Sequence, residues 1–212
     1  MIGAVILCAG ASDRMGFPKH LLDVGGRSAL RAAVSASLAA TDGPVAVVVR
    51  PGHEDAAASA GCPSDPRVLA AVNPRPERGR TGSIQRGLRA LIEAGSSAPD
   101  PLTGCLIWPV DMPLVAQSTV QGIADRLRAD GVRARVIPEH AGRGGHPVAV
   151  GREHWPFLAG MDPDEPLRRL FREPGFPVAR LAVDDPAVHY DLNTPEEALR
   201  FLGSPARPWT GR

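Results

Sequence analysis

Short unbroken apolar blocks alternate along this chain with longer stretches whose apolar residues return every three or four positions. The blocks Ala4 to Ala9, Val45 to Val49, Val68 to Val72, Cys105 to Val110 and Ala134 to Pro138 have the length and continuity of strands buried on both faces. Between them the helical period predicts four helices. They run from Ala29 to Ala40, with Ser28 as N-cap and a stop near Asp42 and Gly43; from Glu54 to Ala60; from Ser83 to Ala94, with Gly95 as C-terminal cap; and from Ser118 to Asp130. Alternation of this kind predicts an α/β fold, a Rossmann-like, mainly parallel sheet with helices on both faces, whose binding groups gather at the carboxyl ends of the strands.

The last third is less regular. Val148 to Val150 reads as a short strand, Glu165 to Phe171 as a helix and Val178 to Val183 as a strand. Thr194 and Glu197 then stand at capping-box spacing with Pro195 at the first helical position, which specifies the start of a final helix. Residues 1–203 are expected to form one domain without internal repeats, and residues 204–212, with two prolines among small neighbours, are expected to fray.

Composition narrows the function classes. A chain of 212 residues can bury a sizeable core. Its 24 basic and 23 acidic residues are interspersed, a balance that argues against a protein wrapping nucleic acid. The longest apolar run, Ile2 to Ala9, is too short to cross a bilayer. No basic segment precedes it and Asp13 and Arg14 soon follow it, so neither a membrane span nor a signal peptide is expected. Three cysteines without a C-x-x-C pair fit a reducing cytoplasm and offer no zinc framework. Among the cations 23 are arginine and one, Lys19, is lysine, and the only asparagines are Asn73 and Asn193. Such skew reflects residue-usage bias, yet all three rare residues fall inside the motifs that carry the candidate chemistry.

Directly after the first strand comes Gly10-Ala11-Ser12-Asp13-Arg14-Met15-Gly16-Phe17-Pro18-Lys19. It is neither a Walker A loop nor G-x-G-x-x-G, and a lone glycine-rich loop is more often an ordinary turn. Its chemistry is nonetheless that of a phosphate cradle: small residues from Ala9 to Ser12 let backbone N–H groups approach an anion, Arg14 adds a planar fork and Lys19 a point charge. With Leu7 and Ala9 included, L-x-A-G-x-S-x-R-M-G-x-P-K resembles the signature of the molybdenum cofactor nucleotidyltransferases and their wider NTP-transferase superfamily, which includes sugar-nucleotide pyrophosphorylases. Cys8 stands where alanine or glycine is usual. The resemblance implies that Leu7, Ala9, Gly10, Ala11, Ser12, Arg14 and Lys19 bind a nucleoside triphosphate, with Arg14 and Lys19 also acting in catalysis.

Further motifs follow in family order. Asn73 with Gly79 to Leu88 is similar to the N…G-M-x-x-S-[IL]-x-x-G-L segment of the cytidylyltransferase branch, with Arg80 where methionine is usual. This implies that Asn73, Gly79 and Ser83 contact the nucleotide and favours CTP over GTP; taken alone, without the first motif, the segment reads rather as a surface loop with a serine-capped helix. Asp111 ends an apolar strand, where an aspartate can simply cap a loop; the resemblance makes it a catalytic Mg²⁺ ligand. His189 to Glu196 resembles D-[IV]-D-T-P-E-[DE], so Asp191 is the second metal candidate; Asn193 replaces the second aspartate, where it can act as a neutral ligand or orient the loop. Gly142 to Val148 resembles G-x-x-G-H-P-V, which implies that His146, together with Asn193, faces the acceptor; a glycine-flanked histidine is otherwise an ordinary turn residue. Asp164 to Arg168 matches the family's G-D-x-G-A-R only loosely.

The implied activity is transfer of CMP from CTP to a phosphate-bearing acceptor such as molybdopterin carrying molybdenum, with release of pyrophosphate. Delivery of that labile product implies a recipient molybdoenzyme or its chaperone. Guanylyl transfer, nucleotidylation of a sugar phosphate, and a nucleotide-binding module that has lost catalysis are the alternatives.

Overall fold

The computed structural model describes residues 1–96 and 98–211. In chain order the elements are β1 (Ile2–Leu7), a small hairpin of β2 (Asp23–Val24) and β3 (Arg27–Ser28), α1 (Ala29–Ala40), β4 (Val45–Val49), α2 (Ala56–Ser59), β5 (Val68–Val72), α3 (Arg80–Gly95), β6 (Gly104–Pro109) and α4 (Gln117–Asp130). There follow β7 (Arg135–His140), β8 (Arg143–Gly144), β9 (Val148–Gly151), α5 (Trp155–Gly160), β10 (Val178–Ala182) and α6 (Pro195–Leu202). Eight strands make one sheet in the order β10-β7-β9-β6-β1-β4-β5, with β8 paired to β7. The expected parallel core is present in β6-β1-β4-β5 and again in β10-β7. β9 runs antiparallel to β6 and to β7, and the sheet is therefore mixed at this end.

The side-chain period of two explains why both faces need helices. On β1, Ala4 and Ile6 join the core beneath α1 and α4, while Val5 joins the core beneath α3 and α5. On β6, Leu106 and Trp108 take the first face and Cys105 and Ile107 the second. Every one of these residues is buried, which is why the strands read as continuous apolar runs. No helix among the described residues is long and apolar enough to cross a membrane.

Several boundaries differ from those expected. The helix placed at Ser83 begins three residues earlier, at Arg80, and includes Gly95. The short helix expected from Glu54 is reduced to Ala56–Ser59. The segment expected to be helical over Glu165 to Phe171 is a 3-10 turn, Leu167–Arg172, held by the buried Arg135, whose Nη1 donates to the carbonyls of Leu170 and Glu173. The β2-β3 hairpin, which has no apolar run, turns on Gly25 and Gly26, both at positive φ. The tail is tied down rather than frayed: the Trp209 N–H donates to Leu21 O, its Nε1 to Gly26 O, and Arg207 pairs with Asp23. The final helix starts as expected, with the reciprocal Thr194 and Glu197 bonds of a capping box.

Gly87 sets the distance between α3 and the sheet, since a Cβ there would lie 2.3 Å from Val5 Cγ1 and 3.0 Å from Val48 Cγ2. Gly87→Ala is expected to lower stability by about 1–3 kcal/mol through overpacking. Urea denaturation measures this, and an unchanged midpoint would refute the close contact.

Candidate functional site

The carboxyl ends of β1 and β6 lie side by side, because the two strands pair in parallel from Ile2–Gly104 to Leu7–Pro109. The loop leaving β1 therefore faces the loop leaving β6, which begins with Val110 and Asp111. Ser12 adopts φ of +63°, and its Oγ accepts the Lys19 backbone N–H at 3.1 Å, closing the Gly10 loop on itself. The loop thus curls so that Lys19 returns toward the strand tips while Arg14 stays exposed at the rim.

Lys19 meets the fourth motif. Its Nζ donates to Asn193 Oδ1 at 2.6 Å, and Asn193 Nδ2 in turn donates to Asp191 Oδ2 at 2.8 Å. The Leu192 N–H donates to the Asp111 carbonyl at 2.7 Å, so the loop before α6 is fastened directly to the end of β6. Glu197 secures it from the other side by accepting the N–H groups of Asn193 and Thr194. Burial lowers the Lys19 pKa below its ordinary value, opposed by the nearby Asp111 carboxylate.

Asp111 is the buried acid of the site. Burial raises its pKa, against the pull of Arg80 and Lys19, and nearby Asp191 raises it further. Its Oδ2 accepts from Arg80 Nη2 at 3.3 Å, whereas its Oδ1 is buried without any hydrogen-bond partner. A desolvated carboxylate oxygen with no donor is costly unless something else binds it. A hard divalent cation fits that description. Mg²⁺ takes one or two carboxylates and completes its shell with phosphate oxygens and water, and Asp111 and the nearby Asp191 are the residues that could hold it. Among the described residues no group of three or more His, Cys, Asp or Glu is placed to hold a metal ion.

Two clefts share this centre. The first, about 340 Å³, is lined by Leu7, Ala9, Gly10, Ala11, Ser12, Arg14, Lys19, Gly79, Ser83, Asp111 and Asn193, and so gathers most of the candidate residues. Asn73 stands behind it, donating from Nδ2 to Ser83 Oγ at 3.0 Å, and thereby orients the serine. Gly79 and Ser83 face the Gly10 loop from the start of α3, whose first N–H groups have no partner within the helix. The second cleft, about 610 Å³, holds His146 among apolar walls that include Ile84, Ile137, Val148, Leu167 and Phe171. Asn193, expected beside the acceptor, lines the first cleft and not the second. Asp191 lines neither; it is exposed and supports Asn193.

Two residues join the site that the sequence did not place there. His20 is buried in the first cleft against His53, its ring kept neutral by burial with a pKa lowered to about 4. Arg80 lines both clefts. For Arg80 a signal existed, the replacement of an expected methionine by a cation; for His20 there was none.

In the second cleft, the Nδ1 of His146 is buried and unpartnered, and burial, reinforced by Arg80, lowers the ring's pKa to about 4. The folded chain therefore resists protonation that the unfolded chain accepts near pH 6.5, and this residue's contribution to stability falls as pH drops from about 6.5 toward 4. His146→Gln is expected to lose less stability than wild type between pH 7 and 4.5, by on the order of 2 kcal/mol. Urea denaturation at the two pH values gives the comparison, and equal losses would contradict the assignment.

Over residues 4–180 the chain matches the family described as the MobA-like NTP transferase domain. Among solved structures it is similar to Rv0371c of Mycobacterium tuberculosis H37Rv, at 26% identity and a TM-score of 0.76, over 96% of this chain and 99% of that one. The structure of that mycobacterial protein in complex with manganese aligns at 25% identity and a TM-score of 0.71, covering 96% and 98%. A nucleotidyl transferase from Methanothermobacter thermautotroptrophicus shares the fold at 24% identity and a TM-score of 0.71, covering 96% of both chains. No curated protein matches the sequence.

Proposed function

We propose that this chain, which belongs to the MobA-like NTP transferase family, transfers CMP from CTP to a phosphate-bearing acceptor and releases pyrophosphate. Membership makes it a nucleotidyltransferase; the nucleotide, the metal and the acceptor are the proposed part. The observation that carries the reading is the buried Asp111 carboxylate, one oxygen of which is unpartnered, in the lining of a cleft whose other wall is the Gly10 loop and Lys19. The manganese complex of the similar mycobacterial protein supports a divalent cation. The likeness of Gly79 to Leu88 to the cytidylyltransferase pattern supports CTP, with molybdopterin as the favoured acceptor and a molybdoenzyme or its chaperone as recipient. Three free cysteines are in keeping with a cytoplasmic protein.

In the reaction an acceptor phosphate oxygen attacks the α-phosphorus. The new P–O bond forms as the bond from that phosphorus to the oxygen bridging to the β-phosphate breaks, and pyrophosphate departs with the electron pair. The Gly10 loop offers N–H groups to the triphosphate, while Arg14 at the rim and Lys19 at the strand tips oppose the charge developing on the phosphoryl and leaving groups. Asn193 aims the Lys19 ammonium and Asn73 aims the Ser83 hydroxyl. Asp111 and Asp191 would hold Mg²⁺, which when bound supplies further neutralisation of phosphate charge. No side-chain nucleophile is required, because positioning and electrostatics carry this chemistry.

Lys19→Ala and Asp111→Ala are each expected to reduce turnover on the order of 100-fold with the fold intact. Lys19→Arg is also expected to be impaired, since a guanidinium fork does not fit where a compact ammonium sits half-buried 2.6 Å from Asn193 Oδ1. A pyrophosphate-release assay with CTP and GTP, run across candidate acceptors, measures all three. Near-normal turnover by the alanine variants would overturn the assignment of roles. Preference for GTP would overturn the cytidylyl reading, and binding without turnover for any acceptor would favour a non-catalytic module.

A further inference from the structure

Arg80 is the one residue at this centre whose present contact and proposed surroundings conflict. It is the first residue of α3, held there by neighbours that leave little freedom to the backbone. Gly79 before it has φ of +108°, and a Cβ at Gly79 would lie 2.8 Å from Pro163 O. Thr81 after it donates its hydroxyl to Glu165 O. The Arg80 side chain is by contrast 63% exposed, while the Asp111 side chain that it contacts is 10% exposed. The carboxylate is thus fixed and the guanidinium free to move.

That guanidinium donates to Asp111 Oδ2, on the same carboxylate whose other oxygen is unpartnered. A divalent cation on Oδ1 would stand within a few ångströms of a guanidinium on Oδ2, an arrangement of like charges that a poorly solvated site resists. Arg80 also lines the second cleft, which contains His146, carries the charged residues Asp164, Glu165 and Arg168, and has apolar walls that include Ile84, Ile137 and Phe171. A displaced Arg80 can reach into that cleft, and there it presents a planar fork with several donors, the geometry suited to phosphate.

We propose that Arg80 is a mobile positioning and specificity residue, paired with Asp111 while no divalent cation is bound and turned by the cation toward the second cleft, where it clamps the acceptor's phosphate. The proposal rests on the nucleotidyl-transfer reading, with the first cleft taken as the nucleotide site and the second, which holds His146, as the acceptor site. It gives the chain an order of events: the cation that comes with the nucleotide releases the group that captures the second substrate. It also assigns the acceptor a chemistry, a phosphate joined to a body with an apolar face to match Ile84, Ile137 and Phe171.

The test uses Arg80→Met, which keeps the side chain's apolar length, and Arg80→Lys, which keeps the charge without the fork. Mn²⁺ is titrated into the nucleotide-free proteins and followed by electron paramagnetic resonance. Inorganic phosphate is then titrated calorimetrically into each protein saturated with Mg²⁺ and the non-hydrolysable α,β-methylene analogue of CTP. Arg80→Met is expected to bind Mn²⁺ about fivefold tighter or more, because a competing cation has left the carboxylate, and to bind phosphate about tenfold more weakly, having lost a charge-assisted fork. Arg80→Lys is expected to fall between wild type and Arg80→Met in phosphate affinity. An Arg80→Met protein unchanged in either affinity overturns the proposal. Failure of wild type to bind the CTP analogue strikes instead at the nucleotide reading, and the Mn²⁺ comparison, which uses no nucleotide, still decides whether Arg80 competes for Asp111.

Discussion

Asp111 carries its carboxylate to the end of a fully buried strand, where desolvation works against ionisation and Arg80 and Lys19 pull the other way. Much of the remaining architecture follows from keeping that group in place. The parallel register of β1 and β6 brings it opposite the Gly10 loop. The Leu192 N–H fastens the loop before α6 to its carbonyl, and that loop delivers Asn193 to Lys19. The capping box of Thr194 and Glu197 thus does more than start a helix, because Glu197 also accepts the Asn193 N–H and so fixes the residue that aims the lysine.

The same constraint explains why two clefts meet where they do. The antiparallel strand β9 covers the edge of β6 and leads in from His146, so an apolar second cleft opens on the far side of the strand tip. The start of α3 divides the two. It is anchored to the segment 162–165 through Thr81 and through the ion pairs of Arg78 with Asp162 and Asp164. Both clefts therefore meet at a junction that pairs an exposed cation, Arg80, with a buried anion, Asp111.

Strands and their faces were legible in the sequence because burial on both sides leaves a continuous apolar run, as at Val45 to Val49. Helices were legible in position but not at their ends. α3 begins at Arg80 because Gly79, at positive φ, starts it without a capping side chain, whereas Ser83 looked like the cap and is instead the partner of Asn73. The tail misled in the same way: its prolines and small residues concealed Trp209, whose ring packs against Gly61 and whose bonds reach the β2-β3 hairpin. Of the candidate site, the residues on the Gly10 loop were readable because a strand followed by small residues and cations is a local pattern. The pairing of Arg80 with Asp111, 31 positions apart, and the siting of Asn193 in the first cleft depend on tertiary placement that no local pattern records.

The most direct measurement is a crystal structure of the chain with Mn²⁺ and α,β-methylene-CTP, with the ion located by its anomalous scattering. The expected result is an ion roughly 2.1 Å from Asp111 Oδ1, the spacing of a hard octahedral cation from a carboxylate oxygen, with the triphosphate against the Gly10 loop and the Arg80 guanidinium withdrawn from Asp111. An ion bound elsewhere, with Asp111 Oδ1 still unpartnered and Arg80 still seated on Oδ2, would contradict it.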